Sequence, residues 1–142
     1  MEEIETLASK LYKKYYEYFF TDKEASFFFY RLHLEEKGHR NLVQYVKRLA
    51  RQNPTLFKDI DMPLEELNKF IVFILELLDR KKQPTLEEAV GIAEELELTL
   101  SEGYLKNLPL ISSPILADLY NALGEKEHTE RITAFKRTKG FI

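Results

Sequence analysis

The chain contains no cysteine. Disulfides, thiolate-bound zinc, iron–sulfur clusters, a Cys-ligated iron centre and thiol catalysis are therefore excluded from its 142 residues. Tryptophan is also absent, amides are few, and only five glycines and five prolines punctuate the sequence. With the high charged content, that composition suits a thermophile. There is no excess of positive charge. Lys and Arg number 21 against 24 Asp and Glu, net −3, and the basic residues are scattered beside glutamates rather than clustered. A nucleic-acid partner is not expected from such a pattern. The longest dense apolar run, Phe70 to Leu78, is broken by Glu76. It falls short of the ~20 residues that span a bilayer, so no membrane partner is expected. No charged-then-apolar leader opens the sequence, and a cytoplasmic location is the expectation.

What is present is helical. Apolar residues make up 44% and charged residues 32%, the balance of one globular domain able to build a core. Hydrophobic spacing follows a helical period throughout, and no strand-like alternation persists. An all-α fold is expected. Helix A spans about Glu2 to Phe20, with Ile4, Leu7, Leu11, Tyr15 and Tyr18 as its inward stripe. Thr21 or Asp22 caps helix B, which runs from about Lys23 to Arg51 and carries Phe28, Leu32, Glu36, His39, Val43 and Val46 along one face. After a connection, Pro63 opens a helix to about Asp79. Its apolar residues from Phe70 to Leu75 go all round, which predicts burial on more than one side, against the bundle, a partner subunit or both. Thr85 with Glu88 forms a capping box for helix C, which extends to about Leu108. Helix D is expected from about Ile115 to Lys136, and a loose tail from Arg137 to Ile142. The organisation is thus a hairpin over 2–52, a crossover with its own helix over 53–84, a second hairpin over 85–136 and the tail 137–142.

Each hairpin carries Glu-Lys-x-His on its second helix: Glu36-Lys37-Gly38-His39 and Glu125-Lys126-Glu127-His128. Residues three apart share a helix face, so a carboxylate and an imidazole can converge on one cation. Two of the three histidines fall in these segments. A two-metal carboxylate bundle needs one more Glu from each helix that lacks a histidine. Counting depth from the turns puts Glu5 level with Glu36, and Glu97 level with Glu125. A tyrosine follows each of those acids by seven residues: Tyr12 after Glu5 and Tyr104 after Glu97. The oxygen-rich set with two imidazoles suits Fe or Mn more than Mg or Ca. Glu35 competes with Glu36 by one register step, and the repeated Glu-Lys favours Glu36. His33 has no such partner and reads as a surface or structural residue. Solvated helix faces are the plain alternative for both motifs.

On these residues, from Ile4-Glu5 and Leu11-Tyr12 to Glu36-Lys37-Gly38-His39, and from Ala93-Glu94-Glu95-Leu96-Glu97 and Tyr104 to Glu125-Lys126-Glu127-His128, the chain resembles the rubrerythrin branch of the ferritin-like diiron carboxylate proteins. The resemblance implies a ferritin-like four-helix bundle holding two metal ions, iron first, with manganese or zinc as alternatives. It implies Glu36 and Glu125 as bridging carboxylates, Glu5 and Glu97 as terminal ones, and His39 and His128 each capping one ion. Glu94 matches the extra carboxylate that exchanges as a ligand during redox change, with Glu2 as its weaker counterpart. Tyr12 and Tyr104 read either as core or interface aromatics or as hydrogen-bonding or radical-quenching groups that line the site. The implied activity is reduction of hydrogen peroxide. Because the chain has no Cys-ligated centre of its own, electrons come from an external donor of rubredoxin type. Ferroxidase iron handling with dioxygen or peroxide, and oxygenation of an organic substrate, are the alternatives. A homodimer is the expected assembly.

Overall fold

The computed structural model describes residues 2–52, 64–107 and 125–142; inside its helices the side chains of Glu2, His39–Arg40, 42–43, 45–47, 49–50, 64–67, 100–107 and 125–128 lie outside that description. The described residues form five helices and no strand: α1 (Glu2–Tyr18), α2 (Lys23–Gln52), α3 (Leu64–Asp79), α4 (Leu86–Asn107) and α5 (Glu125–Thr138). The all-α expectation holds. The segment 53–63 and the expected 109–114 turn, with the start of helix D at Ile115, fall outside the described residues.

Local chemistry sets the ends. α1 stops at Tyr18, two residues before the expected Phe20, because Phe19–Thr21 close a turn in which Asp22 N–H reaches the Phe19 carbonyl at 3.0 Å. Asp22 then caps α2: Ala25 N–H donates to its Oδ1 at 3.2 Å, using one of the donors a helix start leaves open. Thr85 does the same for α4, accepting from Glu88 N–H at 3.2 Å. Lys14 closes the other end of α3, its Nζ donating to the carbonyls of Leu78 at 2.6 Å and Arg80 at 3.1 Å.

The tail corrects its expectation. α5 continues to Thr138 and ends in a hydrogen-bonded cap: Phe141 N–H bonds the Lys136 carbonyl at 2.8 Å and Gly140 N–H bonds that of Arg137 at 3.1 Å. Gly140 holds φ at 74°, the left-handed conformation this cap requires and a Cβ resists. Phe141 packs on the core, and Lys139 Nζ lies 2.8 Å from Asp22 Oδ2. The segment is docked rather than loose, because an apolar residue and a paired cation flank the glycine.

Contacts between helices run α1 to α2, α2 to α5, α5 to α4, and α4 back to α1, with α3 laid on α1. α1 and α2 are antiparallel, as the pairs Ser9–His33 and Tyr15–Phe29 show. α2 and α5 are antiparallel too, from Asp22–Lys139 through Phe28–Phe135 to Glu35–Arg131. One core fills the interior. Ile4, Leu7, Leu11 and Tyr15 of the expected α1 stripe are buried, and Tyr18 is half-buried. At the end near the α1–α2 turn the core is aromatic: Phe29 sits edge-on to Tyr15 and Phe28, and Phe28 stacks on Phe135 with centroids 4.2 Å apart. α3 buries Ile74 and Leu77 but leaves Val72 52% and Leu75 47% exposed. Of the burial expected on more than one side of α3, the described residues account for the side of Ile74 and Leu77.

Candidate metal centre

Three glutamates point into the core: Glu5 from α1, Glu36 from α2 and Glu97 from α4. Glu5 and Glu36 are 0% exposed and Glu97 is 7% exposed, the buried acids among the described residues. Helical phase explains each direction. Glu5 follows Ile4 and precedes Ala8 by three residues, Glu36 lies one turn beyond Leu32, and Glu97 one turn beyond Ala93, all buried neighbours. The adjacent glutamates point in different directions. Glu35 turns to the α2–α5 seam, where it pairs with Arg131 and with Arg31 at 3.5 Å, while Glu36 turns inward.

The three acids interact. Burial pushes the Glu5 carboxyl up to about 7; the hydrogen bond with Glu36 opposes that, and the nearby Glu97 charge adds to it. Burial also drives Glu36 well above the usual carboxylate range, helped by the charges of Glu97 and Glu5 and by hydrogen bonds to both. The same hydrogen bond favours the ionised form of Glu5 and the protonated form of Glu36. Glu36, flanked by the other two, is thus where a proton sits when no cation balances the cluster.

Tyr12 completes the described part. It is fully buried and its phenol donates to Glu97 Oε1 at 2.7 Å. Burial, followed by the Glu97 and Glu36 charges, raises the Tyr12 phenol well above its ordinary value, so it stays a donor. Sequence spacing had linked Tyr12 to Glu5 of its own helix; its bond is instead to the glutamate of the other hairpin. A contact across 85 residues leaves no mark on local spacing. The Glu35–Arg131 pair was missed likewise, although Arg31–Glu35, four residues apart, was legible as a helix-surface pair.

Glu94, expected as the exchanging carboxylate, has a partner of its own. It is half-buried on the α4–α5 seam with Oε2 3.2 Å from Lys136 Nζ, one turn away from Glu97, and is not among the three interacting acids. One turn separates the two glutamates, but Lys136 supplies the counter-charge that Glu94 needs and draws it aside. His33 has a structural place, its Nδ1 2.7 Å from Ser9 Oγ and 2.8 Å from the Ser9 carbonyl. The side chains of His39, Tyr104, Glu125, His128 and Glu2 lie outside the described ones. Among the described residues no group of three or more His, Cys, Asp or Glu side chains is placed to hold a metal ion.

The donor chemistry nevertheless suits cations. Converging buried carboxylates are costly to ionise unless positive charge is present. Oxygen donors with imidazole at i+3 of Glu36 match Fe or Mn preference. Two surface grooves, of about 320 Å³ over Phe28 and Phe135 and about 510 Å³ beside Phe20 and Tyr30, are lined by none of the three acids. No described helix is long and apolar enough to cross a membrane. Comparison with protein-family models, curated proteins and solved structures gives no match to this chain.

Proposed function

We propose that the chain is a ferritin-like, rubrerythrin-type diiron carboxylate oxidoreductase that reduces hydrogen peroxide with electrons from an external donor. The observation that supports it most is the meeting of Glu5, Glu36 and Glu97 from three helices inside the core, with Tyr12 holding Glu97. These are three of the six expected ligands, each in a helix the sequence pattern assigned to it. Chain register supports the rest. α5 runs antiparallel to α2, with Arg131 at the level of Glu35; continuing α5 toward its start carries positions 128 and 125 along the stretch of α2 that holds Glu36 and position 39. Glu36, Glu5, Glu97, His39, Glu125 and His128 would hold the ions.

Two redox-active cations held there would supply electrons for peroxide reduction. The chain's own residues do the rest. Glu36 has an acid on either side and would contribute its carboxylate to holding the ions. Glu5 and Glu97 balance charge at the two ends. Tyr12 fixes the Glu97 rotamer through its hydrogen bond and keeps one Glu97 oxygen in a defined direction. The surrounding aliphatic residues Ile4, Leu32 and Leu96 exclude water, which strengthens every charge interaction inside.

The test is anaerobic Fe(II) loading followed by stopped-flow mixing with peroxide or with dioxygen. Two irons per chain and much faster oxidation by peroxide support the reading. Faster oxidation by dioxygen moves the assignment to iron oxidation, and failure to take up Fe, Mn or Zn after reconstitution sinks it. Glu36→Ala should lose the metal while remaining helical by circular dichroism.

A further inference from the structure

Tyr12, Tyr15 and Tyr18 follow one another at three-residue steps along one side of α1. Tyr12 is in contact with the acid cluster through its 2.7 Å bond to Glu97. Tyr15 lies one turn on, buried at 2% exposure, close enough for its phenol to act electrostatically on that of Tyr12. Its ring is 6.5 Å, centroid to centroid, from that of Tyr18. Tyr18 reaches the surface, half-buried, beneath Lys14 Nζ at 5.5 Å. A phenylalanine at position 15 would fill the same space. The tyrosine there instead carries a phenol that burial pushes up to about 12. Phenylalanine already serves the adjoining core at Phe28 and Phe29, so the hydroxyl at Tyr15 calls for a reason other than packing.

We propose that Tyr12, Tyr15 and Tyr18 form a relay that carries single oxidising equivalents between the buried acid cluster and the protein surface. Each step moves one electron and one proton. Tyr12 gives an electron to an oxidised centre at the cluster and its phenolic proton to Glu97, leaving a neutral tyrosyl radical. Tyr15 then returns an electron to Tyr12, which regains its proton from Glu97; the Tyr15 proton leaves to water on the side of Arg80 and Glu88, the charged groups that act on its phenol. Tyr18 reduces Tyr15 in the same way and is itself reduced at the surface by a one-electron donor of the thiol or ascorbate class. The net change is one electron from that donor to the centre. The oxidant is hydrogen peroxide acting at the cluster, and in that respect the purpose of the relay rests on the proposed function. The relay itself does not.

Both parts are testable, and separately. The chain has no cysteine, so Glu17→Cys, at an exposed position beside Tyr18, gives a unique attachment point for a ruthenium polypyridyl sensitiser. In chelator-treated protein, a flash with a cobalt(III) quencher generates Ru(III) there, which takes one electron from Tyr18. The expected result, by freeze-quench electron paramagnetic resonance, is a tyrosyl radical that settles on Tyr12, the phenol with a carboxylate to accept its proton. Adding Tyr15→Phe should abolish the Tyr12 signal and leave the radical on Tyr18, with an unchanged thermal midpoint. Adding Tyr12→Phe should stop it at Tyr15. A Tyr12 radical that survives Tyr15→Phe, or one that never forms in the parent, overturns the relay. In the iron-loaded protein, peroxide should then oxidise Tyr18 in the parent and not in Tyr15→Phe, at equal rates of iron oxidation. If the flash experiment succeeds and iron loading fails, the relay stands and the peroxidase reading falls.

Discussion

Removing metal should make this protein less stable as pH rises through neutrality, the reverse of ordinary acid denaturation. Glu5 has a folded-state value of about 7 against an ordinary 4.5. A carboxyl raised in this way binds its proton more tightly folded than unfolded. Its stabilising contribution is complete below pH ~4.5 and is lost as pH climbs through about 7. At about 1.4 kcal/mol per unit, the whole change is about 3 kcal/mol, most of it between about pH 5 and pH 8. Glu36 shifts in the same direction for the same reasons and adds to the loss. Asp22 works the other way, lowered by Lys139 and the α2 cap, but its stability is lost only on acidification below the ordinary 3.8 and leaves this window untouched. The assay is urea unfolding of chelator-treated protein followed by circular dichroism. With an m-value of about 2 kcal/mol per molar, the midpoint should fall by roughly 1 M or more on going from about pH 5 to pH 8. Saturating Fe(II) or Mn(II) should erase the drop, because a bound cation takes over the neutralising role of the protons. Glu36→Gln should flatten it in the absence of metal. A midpoint that stays level or rises with pH in the chelator-treated protein would show that the three acids are not the strained, proton-sharing cluster argued for above.

Other expected outcomes are simpler. Tyr12→Phe removes the buried hydrogen bond to Glu97 and should cost roughly 1–3 kcal/mol, read as a lower urea midpoint at acid pH. Glu35→Gln should weaken the α2–α5 seam by about 1 kcal/mol without reducing metal stoichiometry, whereas Glu36→Gln should abolish metal uptake; equal metal loss in both would undo the register assignment. Deleting residues 139–142 removes the Gly140 cap, the Lys139–Asp22 pair and the Phe141 contact, and should lower the thermal midpoint measurably, since the tail is docked.

Much of this architecture is legible in the sequence because it is local. The buried faces of α1, α2 and α4 follow from apolar spacing, and the Asp22 and Thr85 starts follow from capping chemistry. Depth counting from two turns brought Glu5 opposite Glu36, since each helical residue advances a fixed ~1.5 Å. What escaped is non-local or depends on competition. Depth counting singles out Glu97, but nothing in the pattern shows that Glu94 has a counter-charge in Lys136, 42 residues away. The tail reads as loose because a short terminal stretch says nothing about a glycine taking the left-handed conformation. The composition of α3 reports what it lacks, a polar face, and not what covers it.

The molecule is divided along its length by the chemistry of its core. Toward the α1–α2 turn, Tyr15, Phe28, Phe29 and Phe135 interlock, and aromatic contacts of this kind are worth ~0.5–1.5 kcal/mol each beyond area burial. Some two turns along α2 from Phe29, the same helices bury carboxylates that oppose folding unless protonated or bound to cations. The two ends need each other. Buried acids hold a defined geometry only if the surrounding helices cannot splay to admit water, and helices clamped by aromatics at one end resist splaying at the other. α1 carries both functions, with Glu5 and Tyr12 in the acidic part and Tyr15 in the aromatic part. A helix that passes from clamp to cluster within three turns can tie the rigidity of one to the strain of the other, and its tyrosines lie at that junction.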